Sequence, residues 1–175
     1  MDNKRLEDYM RNKRHVCWVL NALDEEYAVE TTLGVYCLNP SSFFEKVPEN
    51  VLDVLRGKGY TRLYVLYLFS RIGDFKGFAD LPAEELLDTK CNESLCEVMP
   101  EVGKIFFAYG TLPNEHMRSL VEGRVGEVKS LILQEKPEAE FYHFGGLTET
   151  GDPKSLYTLE EGDSESRITQ SGGRT

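Results

Sequence analysis

Thr31-Thr32-Leu33-Gly34-Val35-Tyr36-Cys37-Leu38-Asn39-Pro40-Ser41-Ser42 is a short apolar run that stops at Asn-Pro-Ser-Ser. Val, Tyr and Cys fill it and a proline ends it, the pattern of a buried strand. Pro40 lacks an amide hydrogen and disfavours the helical region for Asn39, so the chain turns there and keeps the Asn39 carboxamide at the strand's carboxyl end. In an open parallel sheet, ligands bind at that end. Ser41 or Ser42 can cap a following helix, whose amide hydrogens then face the same crevice.

Working outward, three more apolar runs repeat the pattern. The strands are expected near 33–38, 62–69, 104–109 and 140–145. Leu63-Tyr64-Val65-Leu66-Tyr67-Leu68-Phe69 is nearly continuous, as in a strand covered on both faces. Helical patterns separate them: one at 48–57 ending at Gly57 and Gly59, one at 82–98, and one at 113–134 that Gly123 and Gly126 should weaken. His15 to Leu20 reads as a further short strand and residues 1–14 as an exposed amphipathic helix. Alternating strands and helices predict an α/β three-layer sandwich with a mostly parallel four-stranded central sheet. Residues 1–160 form one domain in this reading; beyond Glu161 the chain is Ser, Gly and charge, so 161–175 is expected to be a disordered tail.

With 175 residues, 41% of them hydrophobic, the chain fits one domain with a full core. No apolar stretch approaches the roughly 20 residues of a membrane span, and the charged start leads into no signal-peptide core; the expectation is a cytoplasmic protein without a membrane partner. Cys17, Cys37, Cys91 and Cys96 show no Cys-x-x-Cys pair and no histidine at zinc-ligand spacing. They are read as reduced thiols, and neither a metal nor another cofactor is expected. A net charge of −10 and a pI near 4.9 argue against a protein that grips duplex DNA through its phosphates.

Four segments occur in an ordered pattern: Leu38-Asn39-Pro40-Ser41, Val65-Leu66-Tyr67-Leu68-Phe69, Ala108-Tyr109-Gly110, and Gly145 to Pro153 leading to Leu156-Tyr157. Across about residues 15–160 this resembles the bacterial and phage family called domain of unknown function 1643. That family in turn is similar to the uracil-DNA glycosylase superfamily, in particular its mismatch-specific branch. The resemblance implies a glycosylase-like fold in which Asn39 positions the attacking water, while the end of the second strand and the 151–157 loop grip the base and the DNA strand. The chain departs from the pattern at Tyr67, where the family has Asn, and at Pro153-Lys154-Ser155, which lacks the family's histidine.

The candidate site residues follow. Asn39 and His143 are the catalytic candidates, the first because an amide can accept from a water and donate to backbone, the second because it sits on the fourth strand and can replace the missing histidine. Pro40, Ser41, Phe43, Tyr67, Thr148 and Lys154 are the substrate-binding candidates, with Phe43 and Tyr67 offering rings for stacking. Asp74 and Glu45 are the carboxylates placed near the crevice as a general base. Each has a plainer reading: Asn39 as a turn former, Tyr67 and Phe43 as core, His143 as a structural histidine and the carboxylates as solvated charge. Two functions remain open. One is an N-glycosidase that hydrolyses the glycosidic bond of a modified or damaged nucleobase, with a nucleic acid or nucleotide as partner. The other is a catalytically inactive glycosylase-fold protein of phage or defence type that binds a protein or nucleic acid. Convergence of Asn39, Tyr67, His143, Thr148 and Lys154 on one polar pocket would favour the first, and scatter the second.

Overall fold

The computed structural model describes residues 15–23, 26–42 and 45–169. It is an α/β fold built on one mixed six-stranded sheet of order β1-β3-β2-β4-β5-β6. The strands are β1 (Trp18–Ala22), β2 (Thr32–Cys37), β3 (Arg62–Tyr67), β4 (Lys104–Phe107), β5 (Phe141–Phe144) and β6 (Glu165–Arg167). The four apolar runs expected to be strands are β2 to β5, and they pair in parallel, with Val35 beside both Val65 and Phe106. The sheet is larger than the expected four strands because antiparallel strands close both edges, β1 on β3 and β6 on β5.

β2 and β3 are buried on both faces, which explains their unbroken apolar sequence. Alternate residues feed two cores. Leu33, Val35, Cys37, Leu63, Val65 and Tyr67 pack with Val51, Leu52 and Leu55 of α1 (Glu49–Gly57). Tyr36, Tyr64, Leu66 and Phe107 face the other way, toward α4 (Lys90–Val98) and α5 (Glu115–Glu135). The 21-residue α5 runs uninterrupted through Gly123 and Gly126. Each glycine costs a helix roughly 1 kcal/mol, but Met117, Val121, Val128 and Ile132 are buried along the sheet, and that burial outweighs it.

The helix expected over 82–98 is broken. α2 (Phe75–Phe78) and α3 (Ala83–Leu86) are single short turns, and Leu87 is extended before α4 starts. The cause is competition for one acceptor: the Leu86 carbonyl takes the amide hydrogens of Ser70 and Arg71, so it holds the segment after β3 in place of continuing a helix.

The expectation of a disordered tail from Glu161 is corrected over 161–169. Glu165 of β6 accepts hydrogen bonds from Tyr60 at 2.5 Å and Lys104 at 2.6 Å, and Asp163 accepts one from Lys154 at 2.7 Å. Ion pairs and a strand ladder anchor this segment where the sequence offers few apolar residues. The cysteine reading also changes: Cys17 and Cys91, both buried, form a disulfide across 74 residues, while Cys37 and Cys96 are free. The helix expected over 1–14 lies outside the described residues. No helix among the described residues is long and apolar enough to cross a membrane.

Candidate functional site

In the sheet order, β2 connects to β3 on one side and lies against β4 on the other. The chain therefore diverges from β2, and the loops leaving the carboxyl ends of β2, β3 and β4 part to leave a crevice, as at other switch points of parallel sheets. That crevice is a cleft of about 460 Å³ lined by Asn39 and Ser41 from the first loop, Asp74 and Lys76 from the second, and Thr111 from the third. Phe75 and Met117 supply apolar wall.

Asn39 is fixed by the loop that follows β3. Its Nδ2 donates to the carbonyls of Arg71 at 3.0 Å and Gly73 at 2.8 Å, and the Gly73 amide returns a bond to the Pro40 carbonyl at 2.9 Å. Gly73 has φ 131°, a conformation that only glycine adopts without strain, so the loop can double back onto Asn39 only with glycine there. With both amide hydrogens engaged, Oδ1 meets no protein donor among the described residues. Asp74 caps α2 by accepting from the Lys76 amide at 3.1 Å, and the carboxylate is exposed. Asn39 and Asp74 thus line one cleft, and a carboxamide and a carboxylate are groups that can hold and deprotonate a water.

The other expected site residues lie elsewhere. Tyr67 is 1% exposed in the core on the α1 side, where its hydroxyl donates to Glu45 at 2.8 Å. Burial first, then the Glu45 charge, pushes its phenol far above the usual range, so it remains a neutral donor. Glu45 is spent there and on Ser41, whose hydroxyl donates to it at 2.9 Å. The buried Cys37 thiol, pushed up mainly by burial, joins this group, and so does Tyr157, whose phenol rises for the same reason. The expected base-stacking role of Tyr67 is replaced by a tie between β3 and Glu45.

His143 pairs with Ser166 of β6, and its Nδ1 is buried without a hydrogen-bond partner, away from the cleft. Lys154 is committed to Asp163 at 2.7 Å and Glu160 at 3.6 Å. Thr148 accepts from the Asp152 amide at 3.1 Å and shapes its own loop. Pro40 contributes its carbonyl to Gly73, and Phe43 lies outside the described residues. Of the candidates, Asn39 and Ser41 share the cleft with Asp74, while Tyr67, His143, Thr148 and Lys154 do not.

Sequence reasoning missed two features. Asp152 is 3% exposed and accepts from the Leu112 amide, Thr150 and, at 2.9 Å, Arg118. It clamps the loop after β5 onto the segment that carries Thr111, and an aspartate directly before Pro153 in a turn-rich stretch is the signal that could have marked it. His116 has its Nε2 3.2 Å from Asp80 Oδ1 beside the cleft. The two are far apart in sequence, so no local pattern announces the pair. Among the described residues no three His, Cys, Asp or Glu side chains gather as metal ligands.

No family model, no curated protein and no solved structure matches this chain. Functional assignment therefore rests on the cleft.

Proposed function

We propose that the protein is a divergent N-glycosidase, on a scaffold of uracil-DNA glycosylase type, that hydrolyses the bond between a modified or damaged nucleobase and its sugar. The observation that carries this reading is the Asn39 carboxamide, locked through Nδ2 at the wall of the cleft that Asp74 also lines. Asn39 Oδ1 accepts a hydrogen bond from the attacking water and orients it toward the anomeric carbon. As the base leaves with the bonding electron pair, the ionised Asp74 stabilises the positive charge that develops on the sugar; Asp74 then takes the proton of the attacking water and returns it to the departing base. Phe75 and Met117 give the base an apolar wall and exclude bulk water. Tyr67, which stands where a carboxamide would read a pyrimidine edge, is turned into the core; ordinary uracil should be a poor substrate.

The test is base release, read as abasic sites in DNA carrying assorted modified pyrimidines and as free base from modified nucleotides. Asp74→Asn is the informative variant, since asparagine still caps α2 and only the proton acceptor is lost. Release by the wild type that falls at least 100-fold in a folded Asp74→Asn variant supports the mechanism. Equal release by both removes Asp74 from it.

The second reading is a catalytically inactive glycosylase-fold binding protein. The observation favouring it is the commitment of Tyr67, His143, Thr148 and Lys154 to contacts outside the cleft. Absence of base release from every substrate, with wild-type folding intact, would establish that reading over the first.

A further inference from the structure

The Asn39 cleft does not end at its own wall. A second cleft, of about 550 Å³, adjoins it and shares Lys76, Pro113 and Met117, then extends along Asp80, Asn114 and His116. Each falls in the roughly 300–1,000 Å³ range of small-molecule sites. The charges around the pair are unequal in their freedom. Arg71, which leads into the second loop, is paired with Glu85 at 2.8 Å, and Arg118 with Asp152 at 2.9 Å. His116 is held by Asp80, and Glu115 lies 3.8 Å from Arg118. Lys76 sits on the shared wall and, among the described residues, makes no ion pair.

Resting on the N-glycosidase reading, we infer that the ligand is a free nucleoside 5′-monophosphate, its base and sugar in the Asn39 cleft and its phosphate at Lys76 in the adjoining one. One unpaired ammonium on the wall between two clefts matches one phosphate. A nucleic-acid strand presents a phosphate at every step and is held by a track of cations, each displacing counterions. Among the described residues Arg71 and Arg118, the other cations named beside this cleft, are already paired, and the chain carries a net charge of −10, which repels a polyanion while leaving a single small anion a local partner. Lys76 suits the role chemically as a point charge on a flexible stem that can follow a phosphate.

The experiment is calorimetric titration of the full chain at low salt with the nucleoside 5′-monophosphates, the corresponding nucleosides and a single-stranded oligonucleotide of mixed sequence, repeated on Lys76→Gln. Lys76 is exposed, so its replacement should leave the fold intact, which a melting curve verifies. The expected result is that at least one 5′-monophosphate binds tenfold or more tightly than its nucleoside, that Lys76→Gln removes the difference, and that the oligonucleotide binds more weakly than the mononucleotide. Equal affinity for nucleoside and monophosphate, a preference that survives in Lys76→Gln, tighter binding of the oligonucleotide, or no binding of any monophosphate would overturn the inference. Binding is read without turnover, so the two proposals fail separately. Lys76-dependent nucleotide binding without base release leaves this inference standing and removes the hydrolase, whereas base release from DNA without nucleotide binding does the reverse.

Discussion

Asn39 and Gly73 are 34 residues apart in sequence and are joined by a 2.8 Å hydrogen bond from the carboxamide Nδ2 to the glycine carbonyl. The bond closes the loop after β3 onto the end of β2, and it leaves the carboxamide oxygen without a protein donor among the described residues. The residue is thus structural through its nitrogen and available for chemistry through its oxygen.

That division predicts an order among substitutions at position 39. Asn39→Ala removes two donors from partly buried carbonyls and should cost about 1–3 kcal/mol. Asn39→Asp should cost more, because it sets a carboxylate against the carbonyl oxygens of Arg71 and Gly73 where donors stood. Urea denaturation of the three proteins reads the order directly. An aspartate variant as stable as the wild type would mean that the loop is held by something other than Asn39.

The anchored 161–169 segment makes stability depend on acid. Burial pushes the Glu165 carboxyl up, but the hydrogen bonds from Lys104 and Tyr60, with the charges of Lys104 and Lys58, outweigh it and hold the group below its ordinary value of 4.5. Asp163 is held below 3.8 in the same way: burial raises it, while Lys154 and the Glu160 amide lower it further. A depressed folded value means that the unfolded chain binds the proton first. The stabilisation is therefore full above about pH 5 and is lost as pH falls through the unfolded and then the folded values. Glu165→Gln should flatten the acid limb of the stability profile. A limb of unchanged steepness would show that other carboxylates govern it.

Deleting residues 162–175 should accordingly destabilise the fold by about 2–4 kcal/mol, since it strips β5 of its edge partner, removes the Glu165 carboxylate from Lys104 and Tyr60, and takes Asp163 from Lys154. For a domain of this size that is a fall of several degrees in Tm. An unchanged Tm would return the segment to the status its composition suggests.

How much of this was legible follows from the physics of each element. β2 to β5 announce themselves because a strand buried on both faces must be apolar throughout, and Pro40 fixes where β2 stops. β6 was invisible because Glu165-Ser166-Arg167 is held by partners at Tyr60, Lys104 and Glu140, none of them near in sequence. The break at Leu87 was hidden for a similar reason: periodicity marks which face is apolar but not that Ser70 and Arg71 take the Leu86 carbonyl. In the site, Asn39 was readable from Asn-Pro at a strand end. Tyr67 was misplaced because alternation along a strand gives two faces without saying which one meets the ligand. His116 and Asp80 meet only through folding.

The Cys17–Cys91 disulfide should be visible as a mass 2 Da lighter than the reduced chain, with two titratable thiols in the unfolded protein from Cys37 and Cys96. Closing 74 residues into a loop restricts the unfolded chain by about 4 kcal/mol in the chain-entropy account. Cys17→Ser and Cys91→Ser should each lower stability by up to that amount and should not be additive, since either one opens the bond. Four titratable thiols in the purified, unfolded protein would contradict the pairing.

The last prediction concerns Gly103, at the opposite end of the sheet from the cleft. A Cβ placed there would lie 2.1 Å from the Val29 carbonyl oxygen, and the neighbouring Glu30 Cα is 3.1 Å away, so the obstacle is backbone that no side-chain rotation can clear. The Gly103 amide also donates to the Thr32 carbonyl at 2.9 Å, which pins the turn before β4 to the start of β2. Gly103→Ala must therefore push the two segments apart and lengthen that bond, at a cost of about 2–4 kcal/mol, more than most single substitutions. Gly123→Ala is the matched control: nothing lies within 4 Å of its Cβ on α5, and alanine is the better helix former, so it should stabilise by up to about 1 kcal/mol. Thermal melts of the two variants should move in opposite directions. A Gly103→Ala protein that melts with the wild type would mean that the 29–32 and 102–104 segments are not packed as closely as the sheet requires.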